Sequence, residues 1–135
     1  MTARVLVADD EPITRSDVRS ILEEVGLEVC AEAADGQAAV REARTHQPDV
    51  IVLDAGMPLM DGVEASQRIL AERDVPIVML TGYGYGDLIS RALDAGVAAY
   101  VVKPFTAQAL AEAVAAALRG GYTKQTLAYL RQPGS

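Results

Sequence analysis

The sequence predicts an α/β protein, a doubly wound sandwich in which one parallel sheet lies between two layers of helices. Three observations lead there: short apolar runs rich in Val, Ile and Leu recur five times, a stretch of helical period follows each, and polar or glycine-rich turns separate them. Strand alternating with helix in this way implies parallel strands, right-handed crossovers and helices on both faces. A chain of 135 residues has room for one substantial core and not for two.

The first strand is expected over Arg4–Ala8. The helix after it, Pro12–Val25, places Ile13, Val18, Ile21, Leu22 and Val25 near one apolar face, with Gly26 as its stop. The second strand, Leu27–Ala33, carries the single cysteine, Cys30, read as a small buried core residue. A helix over Gly36–Gln47 follows, with the only histidine, His46, as an ordinary helix-end residue. Asp49–Leu53 then reads as strand and Gly62–Glu72 as helix, Val75–Leu80 as strand and Asp87–Ala95 as helix, Val97–Val102 as strand and Thr106–Arg119 as helix. The last helix has Ala at seven of the positions from Ala107 to Ala117, a composition that favours helix without any site chemistry. The pattern breaks at Gly120-Gly121, so a domain over residues 1–120 and a tail or linker over 121–135 are expected.

Composition narrows the function. No apolar run could span a bilayer, and the chain enters its first strand too early for a signal peptide, which predicts a cytoplasmic protein. One cysteine excludes an internal disulfide framework. The formal net charge of −7 offers no broad basic surface, so direct nucleic-acid binding by these residues is not expected.

In doubly wound folds the functional groups collect beyond the carboxyl ends of the strands. There the first strand leads into Asp9-Asp10-Glu11, the third into Asp54, the fourth into Thr81 and the fifth into Lys103. Each alone reads as a turn residue or a helix cap. Together they read differently: carboxylates crowded at one edge repel one another and call for a cation, and an all-oxygen donor set suits Mg²⁺, with Mn²⁺ the nearest substitute. A hydroxyl and an ammonium beside that cation can satisfy phosphoryl oxygens, so the constellation points to phosphoryl transfer.

The segments Val5 to Glu11, Asp49 to Asp54 with Met57-Pro58 and Asp61-Gly62, Pro76 to Thr81, and Ala95-Gly96 through Tyr100 to Lys103-Pro104-Phe105 resemble, in order and spacing, the receiver domain of two-component response regulators. The resemblance covers roughly residues 3–119 and implies a flavodoxin-like fold with strand order 2-1-3-4-5. It makes Asp54 the phosphoacceptor, Asp9 and Asp10 the acidic metal pair, and the Gly56 carbonyl a further metal ligand. Thr81 becomes the switch hydroxyl, Lys103 the phosphoryl partner, and Tyr100 the aromatic that moves with Thr81. The Lys103–Pro104 peptide is typically cis in the family, and Gly56 and Tyr83 occupy positions that tune phosphate lifetime. A sensor histidine kinase or histidine phosphotransfer protein is the implied donor, and an output domain or downstream protein the implied receiver of the signal. Residues 94–105 most resemble receivers attached to RNA-binding antiterminator (ANTAR) domains, and the alanine-rich last helix makes a homodimer face plausible.

The stretch Val78 to Asp87, VMLTGYGYGD, also raises a dinucleotide cradle, but Gly82, Gly84 and Gly86 lack the G-x-G-x-x-G spacing. Glycines after Thr81 would instead keep the loop cheap to deform as that hydroxyl moves, the plain alternative being a mobile surface loop. The function expected is a phosphorylation-dependent switch whose occupancy changes the face of the fourth helix, fifth strand and fifth helix. It would catalyse only its own phosphorylation and dephosphorylation. Two rivals stand beside it, a phosphohydrolase turning over on Asp54 and a phosphorylation-independent interaction module.

Overall fold

The computed structural model describes residues 2–82 and 86–120. Strands β1 (Arg4–Ala8), β2 (Glu28–Ala33), β3 (Val50–Asp54), β4 (Ile77–Thr81) and β5 (Ala99–Val102) alternate with helices α1 (Pro12–Glu24), α2 (Gly36–His46), α3 (Gly62–Glu72), α4 (Gly86–Asp94) and α5 (Ala107–Leu118). The sheet runs β2-β1-β3-β4-β5 with every neighbouring pair parallel, the order and the doubly wound class expected from the sequence.

The period-two alternation of the strands builds two cores. Leu6, Ile51, Leu53, Ile77 and Met79 pack on one face against Ala39, Ala43, Val63, Ile69 and Ala92 of α2, α3 and α4. Val5, Val7, Val50, Val52, Val78, Leu80 and Val101 pack on the other against Val18 and Leu22 of α1 and Leu110, Ala113, Val114 and Ala117 of α5. The central strands β3 and β4 are buried at every residue, which is why they read as unbroken apolar runs. Helix starts are set by local chemistry: Asp35, Asp61 and Thr106 each accept an N–H of the first turn, from Ala38, Glu64 and Ala109 respectively.

The structure corrects several sequence expectations. Ile13 and Val25, placed on the apolar face of the first helix, are 79% and 54% exposed. They stand in the first turn and at the C-cap, and neither joins the core that Val18 and Leu22 enter from the middle of the helix. Cys30 is half-buried rather than core: β2 is an edge strand, and the Cys30 thiol donates to the Val5 carbonyl at 3.4 Å. Strands β4 and β5 start two residues later than their apolar runs, at Ile77 and Ala99. Val75 and Val97 are buried all the same, in the connections leading into the ladder, because hydrophobicity reports burial and not strand pairing. The proposed tail, residues 121–135, lies outside the described residues. Among the described residues no helix is long and apolar enough to cross a membrane.

Candidate phosphoryl-transfer site

Parallel pairing brings the strand ends to one edge nearly level. Ala8 stands opposite Leu53, Asp54 opposite Leu80 and Thr81 opposite Val102. The residues just past or at those ends, Asp9, Asp54, Thr81 and Lys103, are therefore neighbours in space although up to 94 positions apart in the chain.

Asp9, Asp10 and Asp54 each place a carboxylate oxygen within 4.8 Å of the others. Asp9 is wholly buried and Asp54 nearly so, while Asp10 is exposed. Lys103 stands between the two buried carboxylates, its Nζ 3.2 Å from Asp9 Oδ2 and 3.1 Å from Asp54 Oδ1. Burial, and then the charge of Asp9, push the Asp54 carboxyl above the usual carboxylate range, and the Lys103 ammonium only partly offsets them. Burial pulls the Lys103 ammonium down, but Asp54 and Asp9 together outweigh it and hold its pKa above the ordinary value. One cation thus faces two buried carboxylates and a third at the surface, a site with net negative charge and only oxygen donors from the three acids. That donor set fits a hard divalent cation such as Mg²⁺.

Asp9 Oδ1 accepts the Glu11 N–H at 2.9 Å. Glu11, read in the sequence as part of the acidic group, instead serves as the residue before α1 and is exposed. Thr81 is 2% exposed, and among the described residues its hydroxyl meets the Gly82 carbonyl at 3.4 Å, too long to hold it firmly. Tyr100 is half-buried and packs on the same sheet face as Met79, its partner in register and two residues before Thr81. The Lys103–Pro104 peptide is cis. Gly56 lies on the exposed loop after β3, where an added Cβ would meet no atom within 4 Å. Tyr83 lies outside the described residues. His46 closes α2 at the opposite edge of the sheet, where it pairs with Glu42 at 3.0 Å and its carbonyl accepts Arg4 Nη1.

Two features of the site have no role assigned from the sequence, although Asp61-Gly62 is one of the motifs that carry the family resemblance. Gly62 packs its α-carbon so tightly under the end of β3 that a Cβ would sit 2.5 Å from the Asp54 carbonyl oxygen, and its N–H donates to Ala55 O at 2.9 Å. Arg15 donates from Nη1 to the Asp9 carbonyl at 2.8 Å and from Nε to Glu32 Oε1 at 3.0 Å.

Residues 5–115 match the response regulator receiver domain. The chain belongs to that family. Receiver domains are the phosphoacceptors of two-component signalling, and five parallel strands in the order 2-1-3-4-5 with five helices are their architecture. The transcriptional regulatory protein PdtaR of Mycobacterium tuberculosis is 46% identical over 111 residues, which is 82% of this chain and 54% of PdtaR. The chemotaxis protein CheY of Bacillus subtilis is 36% identical over 115 residues, 84% of this chain and 96% of CheY. Among solved structures, a LuxR-family two-component response regulator from Aurantimonas sp. SI85-9A1 superposes with a TM-score of 0.86 at 33% identity, covering 97% of this chain and 99% of that one. This receiver therefore spans about half the length of PdtaR and nearly all of CheY.

Proposed function

We propose that this receiver accepts a phosphoryl group on Asp54 in a Mg²⁺-dependent reaction. The observation that carries the reading is Asp54 itself, a buried carboxylate at the end of β3 with Lys103 Nζ at 3.1 Å and the carboxylates of Asp9 and Asp10 within 4.8 Å. Asp9, Asp10, Asp54 and the Gly56 carbonyl would hold the Mg²⁺, which Mn²⁺ could replace. When bound, it would neutralise the negative charge of the incoming phosphoryl group.

Asp54 attacks the phosphorus of a phosphohistidine on a sensor kinase or phosphotransfer protein, or of a small phosphodonor. The N–P bond of the phosphohistidine, or the P–O bond of a small donor such as acetyl phosphate, breaks, the histidine or the acetate leaves with the electron pair, and an acyl phosphate forms on Asp54. Lys103, already against Asp54, passes to the phosphoryl oxygens as an ammonium on a flexible stem. Thr81 Oγ1, weakly held at 3.4 Å from Gly82 O, is free to donate to the same oxygens. Tyr100 shares its sheet face and follows, altering the α4–β5–α5 surface read by an output domain or partner. Open space at Gly56 leaves a path for attacking water, and the family position of Tyr83 implies a side chain that shields the phosphate. Ile13, 79% exposed at the start of α1, and an open groove lined by Ile21, Pro104 and Phe105 provide an apolar surface beside the acidic centre for the phosphodonor.

The domain extends over residues 1–120, with 121–135 as a tail or linker, and its signal passes to an output domain or a downstream protein; the resemblance of residues 94–105 to receivers attached to RNA-binding antiterminator domains favours an output of that type. We place the protein in the cytoplasm, with self-association through α5 and the output domain as its further contacts. Its only chemistry is its own phosphorylation and dephosphorylation. The phosphohydrolase rival has less support because residues 5–115 match a receiver domain rather than a hydrolase, and the passive-module rival does not explain a half-buried lysine shared by two buried aspartates. Incubation with acetyl phosphate and Mg²⁺ tests the reading: wild type should gain a hydroxylamine-labile phosphoryl group and Asp54→Asn none. Equal labelling of the variant would overturn it.

A further inference from the structure

We infer that Arg15 is a positioning residue for the acidic pair, tying the peptide between Asp9 and Asp10 to strand β2 and so aiming both carboxylates at the cation site. The inference rests on the Mg²⁺ reading of that site. Asp9 is the first residue past β1, and its N–H makes the last rung toward β2, donating to Ala33 O at 3.0 Å. Its carbonyl oxygen belongs to the turn leading into α1, and the Arg15 guanidinium meets it at 2.8 Å. Through Nε the same planar fork holds Glu32 Oε1 at 3.0 Å, and Glu32 lies next to the last residue of β2. Glu32 is itself held on its other oxygen by Arg19, one turn further along α1.

Every polar handle of Asp9 is therefore occupied: N–H by Ala33, carbonyl by Arg15, Oδ1 by Glu11 and Oδ2 by Lys103. The carbonyl contact matters most for the pair. A peptide unit is planar, so fixing the Asp9 oxygen fixes the plane from which the Asp10 α-carbon departs. Asp10 is exposed, and this peptide plane is what sets the starting direction of its side chain. With Arg15 at only 22% side-chain exposure, the clamp is partly shielded from competing water.

Charge and position make opposite predictions for this residue. A guanidinium beside a cation site repels the cation, so charge alone has Mg²⁺ binding tighten when Arg15 is removed. Positioning has it weaken. Calorimetric Mg²⁺ titration of the full chain decides between them, with thermal unfolding measured alongside. Arg15→Ala should bind Mg²⁺ about tenfold more weakly, the scale of losing a residue that orients metal ligands. Arg19→Ala, which loses the Glu32 and Glu23 pairings but no contact with Asp9, should keep wild-type affinity. Arg15→Lys keeps the charge but cannot hold both partners, and should fall between. In metal-free protein the Glu11 amide, which donates to Asp9 Oδ1, should exchange faster in Arg15→Ala and not in Arg19→Ala. Equal or tighter Mg²⁺ binding by Arg15→Ala, or unchanged Glu11 exchange, overturns the proposal; if that variant does not fold, wild-type affinity in Arg15→Lys overturns it. Wild type that takes up no Mg²⁺ removes the cation reading itself, and the positioning role with it.

Discussion

Asp54 is held in a state that does not favour its charge: burial and Asp9 raise its pKa, and Lys103 only partly answers them. The sign follows directly. A carboxyl whose folded pKa lies above its unfolded value weakens the fold as pH rises through the folded pKa, since ionisation is harder in the native state. A neutral amide escapes this, so in EDTA Asp54→Asn should unfold at higher urea than wild type, by about 0.5–2 kcal/mol, even though it cannot be phosphorylated. If Asp10 ligates the cation as proposed, Asp10→Ala should lose Mg²⁺ affinity and phosphorylation together, read by titration and by acetyl phosphate labelling. Thr81→Ala should still be labelled. On the proposed switch its hydroxyl draws the loop toward the phosphoryl group, however, so preference for the active arrangement should fall by roughly 1–3 kcal/mol. Hydrogen exchange around Tyr100, with and without beryllofluoride and Mg²⁺, measures that loss. These residues were legible because each pairs an unusual chemical type with a strand end. Arg15 was not, because an arginine six positions after Asp9 in a helix reads as a solvated charge until the fold turns it back on the strand.

At the scale of elements, the loop from β3 to α3 is shaped by contacts that only small residues allow. A Cβ on Gly62 would lie 2.5 Å from the Asp54 carbonyl oxygen, and one on Gly36 would lie 2.0 Å from the Met60 carbonyl oxygen, whereas one on Gly56 would meet nothing. Gly62→Ala and Gly36→Ala should therefore each cost about 1–3 kcal/mol in urea unfolding, since backbone has to move to make room. Gly56→Ala should stay within about 0.5 kcal/mol of wild type, as surface changes usually do. The order and kind of the ten elements were legible from alternating apolar runs and helical periods. Their ends were not always so: Val75 and Val97 extend the apolar runs but pack as buried connections, and Ile13 and Val25 follow the helical period of α1 at ends that do not join the core.

Across the whole molecule, a cation that binds the folded chain and not the unfolded one stabilises it by mass action. Mg²⁺ at about 100 times its dissociation constant should add about 2.7 kcal/mol, seen as a rise in melting midpoint that Asp10→Ala largely loses. The class of fold and the set of groups at its carboxyl edge were readable from the order of residues alone, because period-two and helical hydrophobic patterns dictate which faces are buried, and parallel strands leave their ends on one side. The tertiary structure alone decided which of those groups are buried and which is exposed, that one lysine is shared between Asp9 and Asp54, and that Arg15 holds the Asp9 carbonyl. Those are distances between residues brought together from separate elements, and they arise only when the strands fall into register and both helical layers close over the sheet.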